Sequence, residues 1–233
     1  MIVVLCAMKQ ERDALLKMMK DVRKVRNKKV RVLDTELNNT FFVGKIGEKT
    51  IAVSKTGIGQ VYATIAALLA IEKYKPELVI NLGCAGSLDQ NVMINDVVVA
   101  DRVADWRFDA IDWPRGFDSN YTSFPCDEKV ISIMKKMKID TNIHFGGIVS
   151  ANEFIYKKSQ NKEIKKHFPE ALCGEMEGSA IATTCFAMRV NCSVIRSISD
   201  DTLLEKNYHT YYFNLEQACN TAAKIAAEII RKY

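Results

Sequence analysis

No pair of cysteines in this sequence has the C-x-x-C spacing of a metal or redox site, and no apolar run approaches the roughly 18 residues of a membrane-spanning helix. The first absence leaves seven thiols, Cys6, Cys84, Cys126, Cys173, Cys185, Cys192 and Cys219, most of them inside apolar runs. They read as small buried hydrophobes suited to a reducing compartment. The second absence argues against a helical membrane protein. A signal peptide is not expected either, because the apolar residues 2–6 meet Met8-Lys9-Gln10-Glu11-Arg12 at once. A cytoplasmic protein is predicted. Charge of one sign is also lacking: the net charge of +5 is small for 233 residues. The densest basic stretch, residues 20–31, has no aromatic residue between its cations and reads as a solvated connection, so no nucleic-acid partner is expected. His144, His167 and His209 show no ligand spacing, and neither a metal nor an organic cofactor is implied. No linker divides the chain and nothing repeats, so one domain over residues 1–233 is predicted.

What is present alternates between two periods. Short β-branched runs at 2–5, 30–33, 40–46, 50–54, 78–82, 97–100 and 146–150 read as strands. Residues 10–19, 61–74, 162–167, 179–187 and 215–230 read as helices, the second of them apolar on most sides and so expected to be deeply packed. Strands alternating with helices give an α/β layered fold.

Two stretches organise the rest. Gly174-Glu175-Met176-Glu177-Gly178 opens an apolar helix, and residues 194–198 form a β-branched run that continues through Ser199 to two carboxylates, Asp200 and Asp201. Carboxylates at the end of a strand in an α/β crevice lose part of their hydration, which raises the pKa toward that of a usable acid or base. The structural alternative is that Glu175 and Glu177 favour a helix N-terminus and that Asp200 caps the next helix. Thr56-Gly57-Ile58-Gly59 resembles a dinucleotide fingerprint, but Tyr62 occupies the third glycine position, leaving tight turn geometry as the favoured reading. Gly83-Cys84-Ala85-Gly86-Ser87 follows an apolar strand with small residues that permit close approach of a ligand. Residues 105–125 interleave Trp106, Phe108, Trp113, Phe117, Tyr121 and Phe124 with polar residues, which suits a lid, a binding wall or an oligomer interface.

Together with Ala7-Met8 and Glu11, with Gly147-Ile148-Val149-Ser150, and with Phe154-Ile155, these motifs resemble, in order and spacing, the purine nucleoside phosphorylase superfamily. Within it they are similar to the bacterial nucleosidases that cleave methylthioadenosine and S-adenosylhomocysteine. The resemblance implies a three-layer α/β/α fold with a central twisted mixed sheet, a small-molecule adenine nucleoside as substrate, and a homodimer in which residues 105–125 reach the partner's site. It implies that Asp200 donates a proton to purine N7, that Glu11 is the general base for water, and that Arg196 lies close to that water. It further implies that Glu177 accepts from the ribose hydroxyls, that Met176 packs beside the sugar, and that Phe154 stacks on adenine while Ile155 supplies backbone contacts. Glu175, Cys84, Ala85, Gly86 and Ser199 complete the expected lining, and the Tyr211-Tyr212-Phe213 cluster adds a wall, with Tyr212 taken as its representative.

Phosphorylases similar to this chain hold phosphate with arginines, one of them just before the glycine after the central strand. Asn81 is in the corresponding stretch here, so water is the expected nucleophile. The sequence departs from the family at Cys84, where a serine is usual, and at Phe108, where a polar residue is usual. The alternatives are an aminofutalosine or other adenine-nucleoside nucleosidase, a phosphorylase, and a nucleoside-binding protein without catalysis.

Overall fold

The computed structural model describes residues 1–26, 40–109, 115–118, 122–204 and 208–233. The strand expected at 30–33, Trp113 and Tyr121 fall outside the described residues. The first strand, β1 (Ile2–Cys6), is buried along its whole length, as a continuous apolar run demands. Its alternating side chains feed two cores. Ile2, Val4 and Cys6 pack with helices α1 (Lys9–Leu16), α3 (Glu128–Lys135) and α6 (Tyr208–Lys232), while Val3 and Leu5 pack with α2 (Gln60–Tyr74) and α5 (Gly178–Ala187). Helices therefore cover both faces of the sheet, giving the three layers that the family resemblance implied. A third core under α4 (Lys158–His167) gathers Trp106, Ile155 and Phe168.

The mixed sheet comprises β1, β2 (Lys20–Arg26), β3 (Thr40–Ile46), β4 (Lys49–Lys55), β5 (Leu78–Ser87), β6 (Val97–Asp105), β7 (Ser123–Pro125), β8 (Ile143–Ser150), β9 (Ala171–Glu175) and β10 (Asn191–Asp201). One part of it closes on itself, since β5 pairs β10, β10 pairs β6, β6 pairs β8, β8 pairs β9 and β9 returns to β5. The other part, β1-β4-β3-β2, extends from β5 as an open wing.

Several sequence expectations change here. The basic stretch at 20–26 is not a connection but the exposed edge strand β2, paired with β3, whose cations discourage further pairing. The glycine-rich 83–87 continues β5 rather than leaving it. Helix α2 buries one face, Ala63, Ala66, Ala67, Ala70 and Ile71, and leaves Val61, Ile65 and Leu68 exposed. Asp200 caps no helix; it lies within β10. In the aromatic segment, Trp106 is buried, Phe117 packs edge-on against Phe168 at 5.2 Å, and Phe124 packs against Phe186. These three rings serve packing within the chain, and among the described aromatic residues of 105–125 Phe108 alone is exposed.

Candidate active site

One edge of β5 pairs with β1 as far as Asn81 and is taken up again by β9 at Gly86. Between those points this edge has no strand beside it. The backbone N–H of Cys84 donates instead to Glu11 Oε1 at 3.0 Å, and the N–H of Met8 donates to Glu11 Oε2 at 2.9 Å. Glu11 is thus fixed by two backbone donors at the break in the ladder. A cavity of about 400 Å³ opens there, where the C-terminal ends of β1, β5 and β10 meet those of β8 and β9.

Twelve of the thirteen residues expected at the site line this cavity: Glu11, Cys84, Ala85, Gly86, Phe154, Ile155, Glu175, Met176, Glu177, Ser199, Asp200 and Tyr212. Arg196 is the exception. It lies behind the wall, 1% exposed, where its guanidinium donates to the Asn81 side chain and backbone, to the Ile195 carbonyl and to Glu175. Asn81 is itself committed, since its amide also donates to the Leu5 carbonyl at 3.2 Å. The lining also includes Ala7, Met8, Ile58, Glu153 and Gly174, which sequence reasoning did not assign, and Tyr211 from the aromatic cluster expected to add a wall. Ala7-Met8 and Ile58 lay in motifs already noted, whereas Glu153 carried no signal beyond its place before Phe154. Tyr211 is the more enclosed of the paired tyrosines; its hydroxyl lies 3.2 Å from Met8 Sδ and its ring packs edge-on against Phe154 at 5.4 Å. Tyr212 is 73% exposed and Phe213 points to solvent.

The two glycines of β5 make room for two carboxylates. A Cβ on Gly83 would lie 2.5 Å from Glu11 Oε1, and one on Gly86 would lie 2.9 Å from Asp200 Oδ2. A bulge in β10 makes the second approach possible. It inserts Ser199 between Ile198, which pairs Ala85, and Asp200, which pairs Gly86. Ser199 Oγ then donates to Asp200 Oδ1 at 2.8 Å.

Burial dominates the electrostatics. It pushes Asp200 up to about 6, with the neighbouring Asp201 adding to the effect and the Ser199 hydroxyl opposing it. Burial also raises Glu11, against the pull of Arg196 and the backbone donors. Glu177 is pushed up to about 8 by burial and by the charge of Glu175, although it accepts from the Gly59 N–H at 2.7 Å. Glu175 serves a structural purpose as well, accepting from the N–H groups of Glu177 and Gly178 at the start of α5 and from Ser150. Glu177 is the N-cap residue of that helix but spends its carboxylate on Gly59. The Cys84 thiol touches Cys219 Sγ at 3.6 Å, and that contact together with burial holds it well above the usual thiol range. Cys84 is therefore a neutral wall rather than a nucleophile.

The arrangement places two carboxylates raised by burial, Asp200 and Glu11, on one largely apolar cavity, the kind of pair that acid–base chemistry uses. Comparison with known proteins agrees in kind. The family model described as the phosphorylase superfamily matches residues 1–231. A 5′-methylthioadenosine/S-adenosylhomocysteine nucleosidase from Staphylococcus epidermidis is 34% identical over 207 residues, covering 86% of each chain. This chain belongs to the phosphorylase superfamily and, within it, to the family of those nucleosidases. A Staphylococcus aureus relative of the same name is 35% identical over 69% of this chain and 72% of its own. The solved structure of the Neisseria meningitidis nucleosidase in complex with methylthio-immucillin-A superposes with a TM-score of 0.87 at 28% identity, over 100% of this chain and 99% of that one. The one from Borrelia burgdorferi bound to adenine gives 0.88 at 27% identity, with both chains fully covered.

Proposed function

We propose that this protein hydrolyses the N-ribosidic bond of 5′-methylthioadenosine, S-adenosylhomocysteine or both, releasing adenine with water as the nucleophile. The observation that carries this reading is the pair Glu11 and Asp200, each seated against a glycine of β5 and each raised above an ordinary carboxylate, facing one cavity. Cleavage puts positive charge on the sugar and negative charge on the departing purine. Asp200, oriented by Ser199, supplies the proton to N7, and Glu11 takes one from the attacking water. Glu177 receives the ribose hydroxyls, with Met176 beside the sugar. Phe154 stacks on the base, while Ile155, Ala85 and Gly86 shape its slot and Tyr212 shields the mouth. Arg196 acts from behind, holding Glu175 in place and stabilising ionised Glu11 by its nearby charge.

Water is favoured over phosphate because, among the described residues, neither arginine nor lysine lines the cavity, and Asn81 is occupied with Arg196 and Leu5. The test is product analysis of methylthioadenosine incubated with the pure protein, with and without phosphate. Adenine and free methylthioribose in both buffers are expected. Turnover only with phosphate would make it a phosphorylase.

The chain is proposed to act as one domain, in the cytoplasm, where its seven free thiols are compatible with reducing conditions. No helix among the described residues is long and apolar enough to cross a membrane. A homodimer is proposed through α2, whose Val61, Ile65 and Leu68 continue an exposed apolar stripe from Ile58 in the cavity wall. A second copy on this stripe is proposed to close the cavity rim. Light scattering should give twice the chain mass, and Ile65→Asp should shift it to that of one chain.

A further inference from the structure

Of the seven cysteines, Cys84 alone is not fully buried, and it opens onto the main cavity. Its Sγ lies 3.6 Å from that of Cys219, which α6 presents from behind the wall at 2% exposure. The proposed cleavage uses neither sulfur. Three chemistries could join the two, and the geometry separates them. A disulfide needs its sulfurs at about 2.05 Å, so strand β5 and helix α6 would have to close by roughly 1.5 Å, and a buried protonated thiol such as Cys84 attacks slowly in exchange. A zinc-like cation needs three or four ligands, yet among the described residues no group of three His, Cys, Asp or Glu is placed to hold a metal ion. A trivalent arsenical carrying one organic group needs two thiols only. Two sulfurs on one tetrahedral centre stand about 3.8 Å apart for bonds of about 2.3 Å, so a single bridging atom accepts the observed separation with little adjustment.

We propose that Cys84 and Cys219 form a dithiol site for trivalent arsenicals in the wall of the main cavity, and that the adduct closes this cavity to nucleosides. The site goes beyond the nucleosidase reading and draws on it only for the activity readout. With phenylarsine oxide, two As–S bonds form as the arsenic–oxygen bond breaks. The oxygen takes both thiol protons and leaves as water. Arsenic stays trivalent, so no oxidant is consumed, and no charge is left in a wall where burial would penalise it. The phenyl group enters the apolar part of the cavity, where Met8, Phe154 and Tyr211 are available for packing.

The experiment titrates phenylarsine oxide into the full-length wild type, Cys219→Ala and Cys84→Ser, reading intact mass and methylthioadenosine turnover, each protein against its own untreated rate. The wild type is expected to gain one phenylarsenic group less two hydrogens and to lose turnover. Dimercaptopropanol, a small dithiol, should reverse both changes, and the monothiol mercaptoethanol at the same thiol concentration should not. Each variant keeps one sulfur of the pair and loses the second attachment, so the concentration for half-modification should rise about 100-fold. A wild type that takes no adduct overturns the proposal, as does half-modification of both variants at the wild-type concentration, which would place the arsenic on other thiols. Turnover that survives a complete adduct overturns the closure of the cavity. If the untreated wild type cleaves no nucleoside, the nucleosidase reading fails separately, and the mass measurement alone decides the dithiol site.

Discussion

Arg196 and Glu175 form an ion pair whose side chains are each 2% exposed, beneath a cavity that only one of them reaches. The pair joins β10 to the end of β9, and Asn81 ties it to β5. Removing one partner leaves the other charge buried and without its ion-pair partner. Glu175→Ala is expected to destabilise the fold by about 3–5 kcal/mol, read as a loss in urea-unfolding free energy. A loss under about 1 kcal/mol would show that the pair is not what holds this junction.

Asp200 must hold a proton to serve as the acid, so kcat/KM should decline as pH rises through about 6, and Glu11 must be ionised, which sets the acid limb. Asp200→Asn should retain nucleoside binding by calorimetry and lose on the order of 10²- to 10⁴-fold in kcat, along with the alkaline limb. Glu11→Gln should lose turnover similarly. Wild-type rates in both variants would refute the assigned roles.

Gly83→Ala and Gly86→Ala test the seating of the two carboxylates. The methyl added at Gly83 meets Glu11 Oε1 at 2.5 Å, and the one added at Gly86 meets the Thr202 methyl at 2.8 Å and Asp200 Oδ2 at 2.9 Å. Glu11 is pinned by two N–H donors and Asp200 by a short stem, so the acid or base is displaced rather than the backbone. The expectation is a kcat reduced about 100-fold for each, with a stability cost of about 1–3 kcal/mol. Near-normal kcat with the same stability loss would mean that the carboxylates relax without consequence.

Glu177 titrates in the folded protein near 8 against an ordinary value of 4.5, so the native state holds its proton where the unfolded chain has released it. Its contribution to stability is complete below about 4.5 and is lost as pH rises toward 8, at up to about 1.4 kcal/mol per pH unit. Glu177→Gln keeps an acceptor for the Gly59 N–H and cannot ionise. Unfolding free energies at pH 5 and pH 8 should therefore differ less in the variant than in the wild type. An unchanged difference would sink this account.

The sequence by itself determined the layered α/β plan, because apolar runs such as residues 2–6 and 78–80 are suited to burial on both faces, and helical runs such as 215–230 carry the period that covers them. Through the motifs of a family resemblance it also named twelve cavity residues, several of them at or just beyond a strand end, with Glu11 in α1 and Tyr212 in α6. The short strand β9 escaped notice because Ala171–Glu175 is too brief to carry a period, and β2 because its exposed cations look like those of a loop. Three features depended on residues distant in sequence coming together. The ring closes because β9 takes the β5 edge that β1 leaves at Asn81, and that gap is what gives Glu11 its N–H donor from Cys84. The bulge at Ser199 turns Asp200 toward Gly86, a matter of register between two strands rather than of local pattern. Arg196 withdraws behind the wall because Asn81 and Glu175, 115 and 21 residues away, supply oxygens to its Nη1 and Nη2 groups. A local motif names the groups at a site; only the packing of remote strands decides which of them face the cavity and which are consumed in holding it open.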